Sequence, residues 1–304
     1  MTVPSIPWSP WYPLSGASNN KEIPGLPGLY RIRRIGRTDL DYIGQTGLRL
    51  GQRLGMLAGA LAEEMPYRDP HTAAPALWAL RHAERCSLEI SVAVIEGTTP
   101  WRKGMEALAI GLYRQQHGRS PTVEFGRMPI GYRASTPNNS RLVKLGMRYR
   151  GGPTVDQDLA SHILGVPPNG PLGGPPQSLA WIGHTWSEWR PLAAVSNHRR
   201  PIGAGLYRVR GDAQDTLLYI GQGKIPARPR AHFAKTNEPS HSQGAIFRSS
   251  DRLECSWVLH DDWKSHHRLE LENDLIAAHL IETGTIPEAQ FLGKTISLVS
   301  TPIL

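Results

Sequence analysis

Cysteine is nearly missing from this 304-residue chain, which has two. Two thiols exclude a disulfide framework and are too few for a zinc ribbon. Long hydrophobic runs are missing as well. No stretch approaches the ~18 apolar residues that a membrane span needs. The start, Met1-Thr2-Val3-Pro4, has neither the basic n-region nor the apolar core of a secretory signal, so the sequence predicts a soluble, cytoplasmic protein. Acidic residues are outnumbered, 26 Asp and Glu against 34 Lys and Arg, for a net charge of +8 and an isoelectric point near 9.7. That balance suits a polyanionic partner, although charge alone also describes a solvated basic surface.

What is present is a repeat. Gly28-Leu29-Tyr30 is followed after eleven residues by Tyr42-Ile43-Gly44-Gln45, and Gly205-Leu206-Tyr207 after eleven residues by Tyr219-Ile220-Gly221-Gln222. Upstream, Trp8-Ser9-Pro10-Trp11-Tyr12-Pro13-Leu14 returns as Trp186-Ser187-Glu188-Trp189-Arg190-Pro191-Leu192, a shared W-S-x-W-x-P-L lead. Downstream, Cys86-Ser87 corresponds to Cys255-Ser256, and Glu106 through Gly118 to Glu272 through Gly284. One structural unit has been duplicated, giving a first domain over 8–125 and a second over 186–304. Between them, 126–185 reads as a basic extension and linker: Gly and Pro fill 12 of the 26 positions from Gly151 to Pro176, a density that predicts a semi-flexible tether.

Each copy has the pattern of an α+β (α/β) unit. Leu29 to Arg33 alternates, turn residues follow at Gly36 to Asp39, and Leu40 to Gly44 resumes an extended run, which predicts a β-hairpin. The second copy repeats it at Leu206 to Arg210 and Leu217 to Ile220, around a turn at Gly211-Asp212. Because strand residues alternate between faces, the even spacing of the tyrosines allows both hydroxyls on one face. Leu50, Leu54, Leu57, Ala58 and Leu61 have helical core spacing, and a second helix is predicted over Ala73 to Ala83. A third strand follows at Ser87 to Val94 and at Glu254 to Leu259. The last helices are predicted from about Lys103 to Gln116 and from about Lys264 to Glu282, closed by Gly118 and Gly284. The expected architecture is a three-stranded antiparallel sheet flanked by helices, twice, with Cys86 and Cys255 in core strands.

The last helices carry the most telling chemistry. Glu106 is followed at helical spacing by Ala109, Ile110 and Tyr113, and Glu272 by Leu275, Ile276 and His279. Each carboxylate thus heads a largely apolar stripe, where a charge is costly unless paired or bound to metal. Glu270, leading to Asn273 and Asp274, marks the face expected to be solvated. Arginines cluster at Arg31, Arg33, Arg34 and Arg37, and Arg141, Lys144, Arg148 and Arg150 form a second basic run; both are candidate phosphate contacts. His71 and His241 align between the copies and, lacking further ligands at metal-binding spacing, read as structural. The tryptophan pairs Trp8/Trp11 and Trp186/Trp189 read as arms packed over each domain rather than as base-stacking platforms.

The Gly-Leu-Tyr and Tyr-Ile-Gly pairs, with an arginine in the next helix and a glutamate in a later one, resemble the GIY-YIG nuclease superfamily. The resemblance spans both copies and leaves 126–185 uncovered. It implies two repeated GIY-YIG-like domains and a site made of Tyr30, Tyr42, Arg53 and Glu106 in the first. In the second it implies Tyr207, Tyr219, His232, Glu272 and either Arg228 or Arg230, with Pro229 expected to push Arg228 out of helical geometry. It further implies a metal-dependent DNA endonuclease, with a divalent ion, expected to be Mg²⁺, held by Glu106 and by Glu272. The arginine would clamp phosphate, and Tyr30 or Tyr207 would activate water where nearby cations lower its pKa. Tyr42 and Tyr219 would orient water or phosphate.

Two departures stand out. Glu124 and Gln290 occupy the place of an asparagine that the family has in a P-x-x-N context, with Asn138 or Asn139 as possible substitutes in the first copy. Leu57 stands where alignment through the arginine puts His232 in the second. Two sites in one monomeric chain suit cutting of both strands of double-stranded DNA, as in a restriction or defence enzyme. The alternatives are a repair or mobile-element nuclease, or a non-catalytic nucleic-acid-binding protein on degenerate domains.

Overall fold

The computed structural model describes residues 4–212 and 216–293. Part of the second hairpin turn and the end of the second copy, both covered by the sequence expectations, lie outside these residues. The protein divides into one compact unit over Ser5–Pro168 and another that begins at Asn169. Both are mixed α+β units with antiparallel sheets.

The first unit contains β1 (Tyr12–Pro13), β2 (Gly28–Arg34), β3 (Tyr42–Thr46), α1 (Leu50–Ala60), α2 (Ala74–Glu84), β4 (Leu88–Val94) and α3 (Thr99–His117), then β5 (Tyr132–Arg133), α4 (Ser140–Lys144) and β6 (Gly152–Pro153). The second contains β7 (Arg190–Pro191), α5 (Leu192–Asn197), β8 (Gly203–Arg210), β9 (Tyr219–Ile225), α6 (Ala227–Ala234), α7 (Ser242–Arg248), β10 (Glu254–Leu259) and α8 (Ser265–Thr283). The main sheets have orders β1-β4-β2-β3 and β7-β10-β8-β9, the same topology with every pairing antiparallel. Each has one strand more than the expected three.

The extra strand comes from the W-S-x-W-x-P-L lead. The N–H of Ser9 donates to the Val92 carbonyl (2.8 Å) and the N–H of Val92 to Ser9 Oγ (3.0 Å). Ser187 and Trp257 repeat both bonds at 2.8 and 3.0 Å. Docked this way, Trp8 and Trp11 cover the Arg31 guanidinium at 4.6 and 4.8 Å, and Trp186 and Trp189 cover that of Arg208 at 4.2 and 4.6 Å. The tryptophans are therefore packed arms that hold a strand arginine by cation–π attraction. This corrects the phosphate-contact reading of Arg31, Arg33 and Arg34 in the first cluster. Arg31 lies under indoles, Arg33 pairs with Glu89 at 2.7 Å, and Arg34 pairs with Asp41 and Glu84. Their charge is spent inside the unit.

The motif glycines are fixed by close approach. A Cβ on Gly28 would lie 2.1 Å from the Ala93 carbonyl oxygen, and one on Gly205 would lie 1.9 Å from that of Val258. Gly44 and Gly221 have a different neighbour. There the ring of Tyr30 or Tyr207 crosses the Cα, and a Cβ would meet its hydroxyl at 2.6 or 2.5 Å.

Helix α1 buries Leu50, Leu54 and Leu57 against the sheet. Helix α3 starts four residues before the expected Lys103 because the Thr98 side chain accepts from the N–H of Trp101 and Pro100 sits in the first turn, an N-terminus that needs no earlier donor. Gly118 and Gly284 close α3 and α8 with φ of 66° and 74°, as expected. The polar face expected on α8 is corrected: Glu270, Asn273 and Asp274 are all buried, since apolar periodicity shows one covered side and cannot reveal a second.

The linker reading is corrected too. Residues 126–168 belong to the first unit, where His162 Nε2 donates to the Tyr132 carbonyl (2.9 Å) and β5 pairs with β6. From residue 169 the backbone belongs to the second unit. There the Pro176 carbonyl accepts from Arg208, and the Gln177 carbonyl accepts from Trp189 Nε1 (3.2 Å). Gly151, Gly152, Gly173 and Gly174 all have positive φ, so glycine here serves turns that bring the backbone onto each unit.

Replacing Gly44 or Gly221 with alanine places a methyl inside the tyrosine ring's position. Overpacking of this kind costs about 1–3 kcal/mol, so each variant should show a lowered urea midpoint with an unchanged m-value. A midpoint equal to wild type would mean the rings have room to move.

Candidate active site

The register of the first sheet pairs Tyr30 with Gly44 and Ile32 with Tyr42, which sets the two tyrosines diagonally on one face with ring centroids 6.1 Å apart. Register Tyr207–Gly221 and Val209–Tyr219 does the same in the second, at 6.0 Å. Arg53 comes from α1 and acts on Tyr30 with its charge, and its Nη1 donates to the Pro70 carbonyl (3.2 Å). In the second unit Arg228, on α6, lies beside both Tyr207 and Tyr219 and interacts electrostatically with each. Arg230 faces elsewhere, with Nε on the Ser196 carbonyl (2.7 Å) and Nη2 on that of His198 (2.8 Å). The two candidates are thus separated, and Arg230 is corrected to a residue that binds the carbonyl end of α5. Pro229 lies within α6, in its first turn, where the missing N–H breaks no helical bond, so Arg228 stays helical.

Histidine is where sequence alignment misled. His232 Nε2 is hydrogen-bonded to the Tyr207 hydroxyl at 2.7 Å. His71 Nε2 lies 2.9 Å from the Tyr30 hydroxyl and so takes the same place in the first unit. It comes from the segment before α2, whereas His232 is in α6. His241, its aligned partner, caps α7 instead. His71 thus stands on Tyr30 as His232 stands on Tyr207, delivered by another segment.

The places of the missing asparagine are also explained. Glu124 Oε2 accepts the N–H of Ile43 (3.0 Å), and Gln290 Oε1 accepts that of Ile220 (3.0 Å). Strands β3 and β9 are sheet edges, whose outward N–H groups need an acceptor. Any carboxylate or amide oxygen of suitable reach provides one, so Asn, Gln and Glu are interchangeable in this role. Asn138 and Asn139 do not substitute: they bind Arg148 and cap α4. The last helices make a matching pair of bonds, Leu40 N–H to Tyr113 (3.2 Å) and Leu217 N–H to His279 Nε2 (3.0 Å).

Burial dominates the ionisation of the site. It raises all four tyrosines, Tyr30, Tyr42, Tyr207 and Tyr219, the last to about 12. Arg53 and Arg228 oppose the shift without reversing it. The expectation that cations make a tyrosine acidic is therefore corrected: the phenols are protonated donors. Burial, followed by the charge of Arg53 or Lys235, lowers His71 and His232 to about 3, so both imidazoles are neutral. Glu106 is raised to about 7 and Glu272 to about 8 by burial. A backbone hydrogen bond from Gln45, then Lys103 and Arg53, pull Glu106 back, while Glu272 has Arg228 alone opposing its rise.

Both carboxylates are half-buried, not sealed. The described residues contain no group of three or more His, Cys, Asp or Glu able to hold a metal ion, which argues against a caged structural metal there. One desolvated carboxylate beside an arginine instead fits a hard divalent ion that keeps most of its water. Arg53 Nε, buried and without a hydrogen-bond partner, fits an anion arriving beside it.

Of the second basic run, Arg141, Lys144, Arg148 and Arg150 are all exposed, with Arg148 and Arg150 over the Tyr67 ring at 5.0 and 4.4 Å. Among the described residues no helix is long and apolar enough to cross a membrane. No family model, curated protein or solved structure matches this sequence.

A carboxyl raised from 4.5 to about 7 or 8 stays protonated in the folded protein where the unfolded chain would ionise. Its stabilising share is complete below about pH 4.5 and is lost as pH rises through the folded value. The lowered histidines act with the opposite sign, and only below about pH 6.5. Wild-type protein in EDTA should therefore lose stability between about pH 6.5 and 8.5, and Glu106→Gln with Glu272→Gln should flatten that fall in thermal melts. A slope unchanged by both substitutions would place the titration elsewhere.

Proposed function

We propose that the protein is a metal-dependent DNA endonuclease of the GIY-YIG type with one phosphodiester-hydrolysing site in each unit. The observation that carries this reading is the double occurrence of a protonated tyrosine bonded to a neutral histidine, with an arginine on the tyrosine and a half-buried glutamate nearby. The histidine reaches that place from two different segments. Packing alone would accept many side chains against a buried phenol; keeping an acceptor nitrogen there by two routes points to a chemical requirement.

In the proposed reaction, a water oxygen forms the new P–O bond as the bond to the leaving oxygen breaks, and that oxygen departs with the bonding electron pair and takes a proton from solvent water. The water proton passes to the oxygen of Tyr30 or Tyr207 while that phenol hands its own proton to His71 or His232, so neither residue has to ionise in advance. Arg53 or Arg228 binds the phosphoryl oxygens. A divalent ion at Glu106 or Glu272, expected to be Mg²⁺, adds Lewis-acid stabilisation of the developing charge. Tyr42 and Tyr219 orient the group being attacked. Two sites in one polypeptide suit double-strand cutting by a monomer, which favours a restriction or defence role over repair or mobile-element functions.

The duplex is proposed to lie against the surface around α4. From Phe125 to Val155 there are five Lys and Arg residues in addition to Arg127 and no Asp or Glu. Phosphate contacts from Arg141, Lys144, Arg148 and Arg150 would release counterions, so affinity should fall steeply with salt.

With Mg²⁺, wild-type protein should linearise supercoiled plasmid, while Glu106→Ala or Glu272→Ala alone should nick it, and the double variant should do neither while still binding. Tight binding with no cleavage by wild type under any divalent ion would select a non-catalytic DNA-binding protein instead. In a separate measurement, Arg141→Gln with Lys144→Gln and Arg148→Gln should reduce the slope of log affinity against log salt by about 0.9 for each phosphate no longer neutralised. A slope equal to wild type would remove these residues from the binding surface.

A further inference from the structure

The two sites differ in what stands behind the histidine. Gln243, on α7 and buried, donates from Nε2 to the Ala289 carbonyl at 2.8 Å. A backbone carbonyl only accepts, so the amide nitrogen must face it and the oxygen must point the other way. That oxygen takes a hydrogen bond from the Lys235 ammonium, at 2.5 Å, and lies 3.0 Å from His232 Nδ1. Two independent bonds, the Gln243 amide against a carbonyl and Lys235 against its oxygen, therefore fix the same orientation. Having no proton of its own, Oε1 can bond Nδ1 only if Nδ1 carries one. In a neutral imidazole this leaves the lone pair on Nε2, the atom 2.7 Å from the Tyr207 hydroxyl.

The first unit has no such arrangement. His71 Nδ1 is buried and has no hydrogen-bond partner from another residue; the one group acting on its ring in the place of Gln243 is its own backbone.

We propose that Gln243 is a positioning residue that holds His232 as its Nδ1–H tautomer, so that the second site presents a proton acceptor to its tyrosine before substrate arrives by means of a side chain that the first site lacks. The consequence for cleavage rests on the nuclease reading above; the tautomer does not. Lys235 is the competitor. Its ammonium lies 3.4 Å from His232 Nδ1 and would donate to that nitrogen if Gln243 Oε1 were removed, which would drive the proton to Nε2 and set N–H against the Tyr207 hydroxyl. The other charged or titratable groups near the ring are Arg228, His241 and Tyr219; the structure gives none of them a hydrogen bond to Nδ1.

Full-length protein labelled with ¹⁵N-histidine reports ring tautomers directly through long-range ¹H–¹⁵N correlations, with His232 assigned by its loss in His232→Gln. Wild type should show His232 protonated at Nδ1. Gln243→Glu, which keeps an acceptor oxygen, should show the same, as should Lys235→Met. Gln243→Leu should move the proton to Nε2 or mix the two forms. An Nδ1–H signal that survives in folded Gln243→Leu, or an Nε2–H signal in wild type, would overturn the proposal.

Plasmid nicking gives the second readout. In a Glu106→Ala background, where the second unit acts alone, Gln243→Leu should slow nicking about ten-fold or more and Gln243→Glu should restore it. In a Glu272→Ala background Gln243→Leu should leave the first unit's nicking rate unchanged. Equal slowing in both backgrounds would mark Gln243 as a merely structural residue and defeat the proposal. If the spectra come out as expected and no variant or wild type cuts DNA, the tautomer assignment stands and the nuclease reading falls.

Discussion

The hydrogen bond between a buried phenol and a neutral imidazole is the constraint on which both units are built. It requires the tyrosine ring to lie flat across the neighbouring strand, and this excludes any side chain at Gly44 and Gly221. It requires the strand register that brings Tyr42 and Tyr219 onto the same face. It also requires dryness. Desolvation is the largest cause behind the raised tyrosines, the lowered histidines and the raised glutamates alike. One physical cause thus stocks each site with a donor, an acceptor and a carboxylate that gains from a cation. Groups displaced this way, converging in one place, are what a catalytic site needs and what a packed core avoids.

The parts of this arrangement that were legible in the sequence are those whose spacing is set within one element or one hairpin. The tyrosine pairs and their glycines recur at matching separations, and each glutamate stands twelve residues before the glycine that closes its helix, because a hairpin register and a helical turn admit few alternatives. The arginine does not, standing eleven residues after Tyr42 but nine after Tyr219. His71 and His232 were not legible as partners, since a histidine can reach one point in space from a segment before α2 or from α6, and alignment compares only order. The signal was there in the unexplained histidine just ahead of α2. Glu124 and Gln290 were equally opaque: what unites them is an acceptor oxygen against an edge-strand N–H, a role defined by reach and chemistry and not by residue name.

Composition was the weaker guide. Arg31, Arg33 and Arg34 looked like phosphate ligands, yet Trp8, Trp11, Glu89, Asp41 and Glu84 all lie against them. Clustered charge says nothing about where the compensating groups come from in the fold. The Gly/Pro-rich stretch failed for a related reason. Glycines with positive φ and fixed prolines are as useful for wrapping a segment over a surface as for keeping it loose, and here the carbonyls of Pro176 and Gln177 bind side chains of the second unit. Arg208 illustrates the outcome: its guanidinium is fully buried and its pKa falls to about 9 through burial and the nearby Arg210.

Titration with Mn²⁺ followed by electron paramagnetic resonance, on protein bound to a duplex with non-hydrolysable linkages, tests most directly whether each unit holds its own ion. Two bound ions per protein molecule are predicted for wild type, one for Glu106→Ala or Glu272→Ala, and none for the double variant. Binding that is absent in wild type, or that persists after both glutamates are removed, would contradict two glutamate-held cation sites.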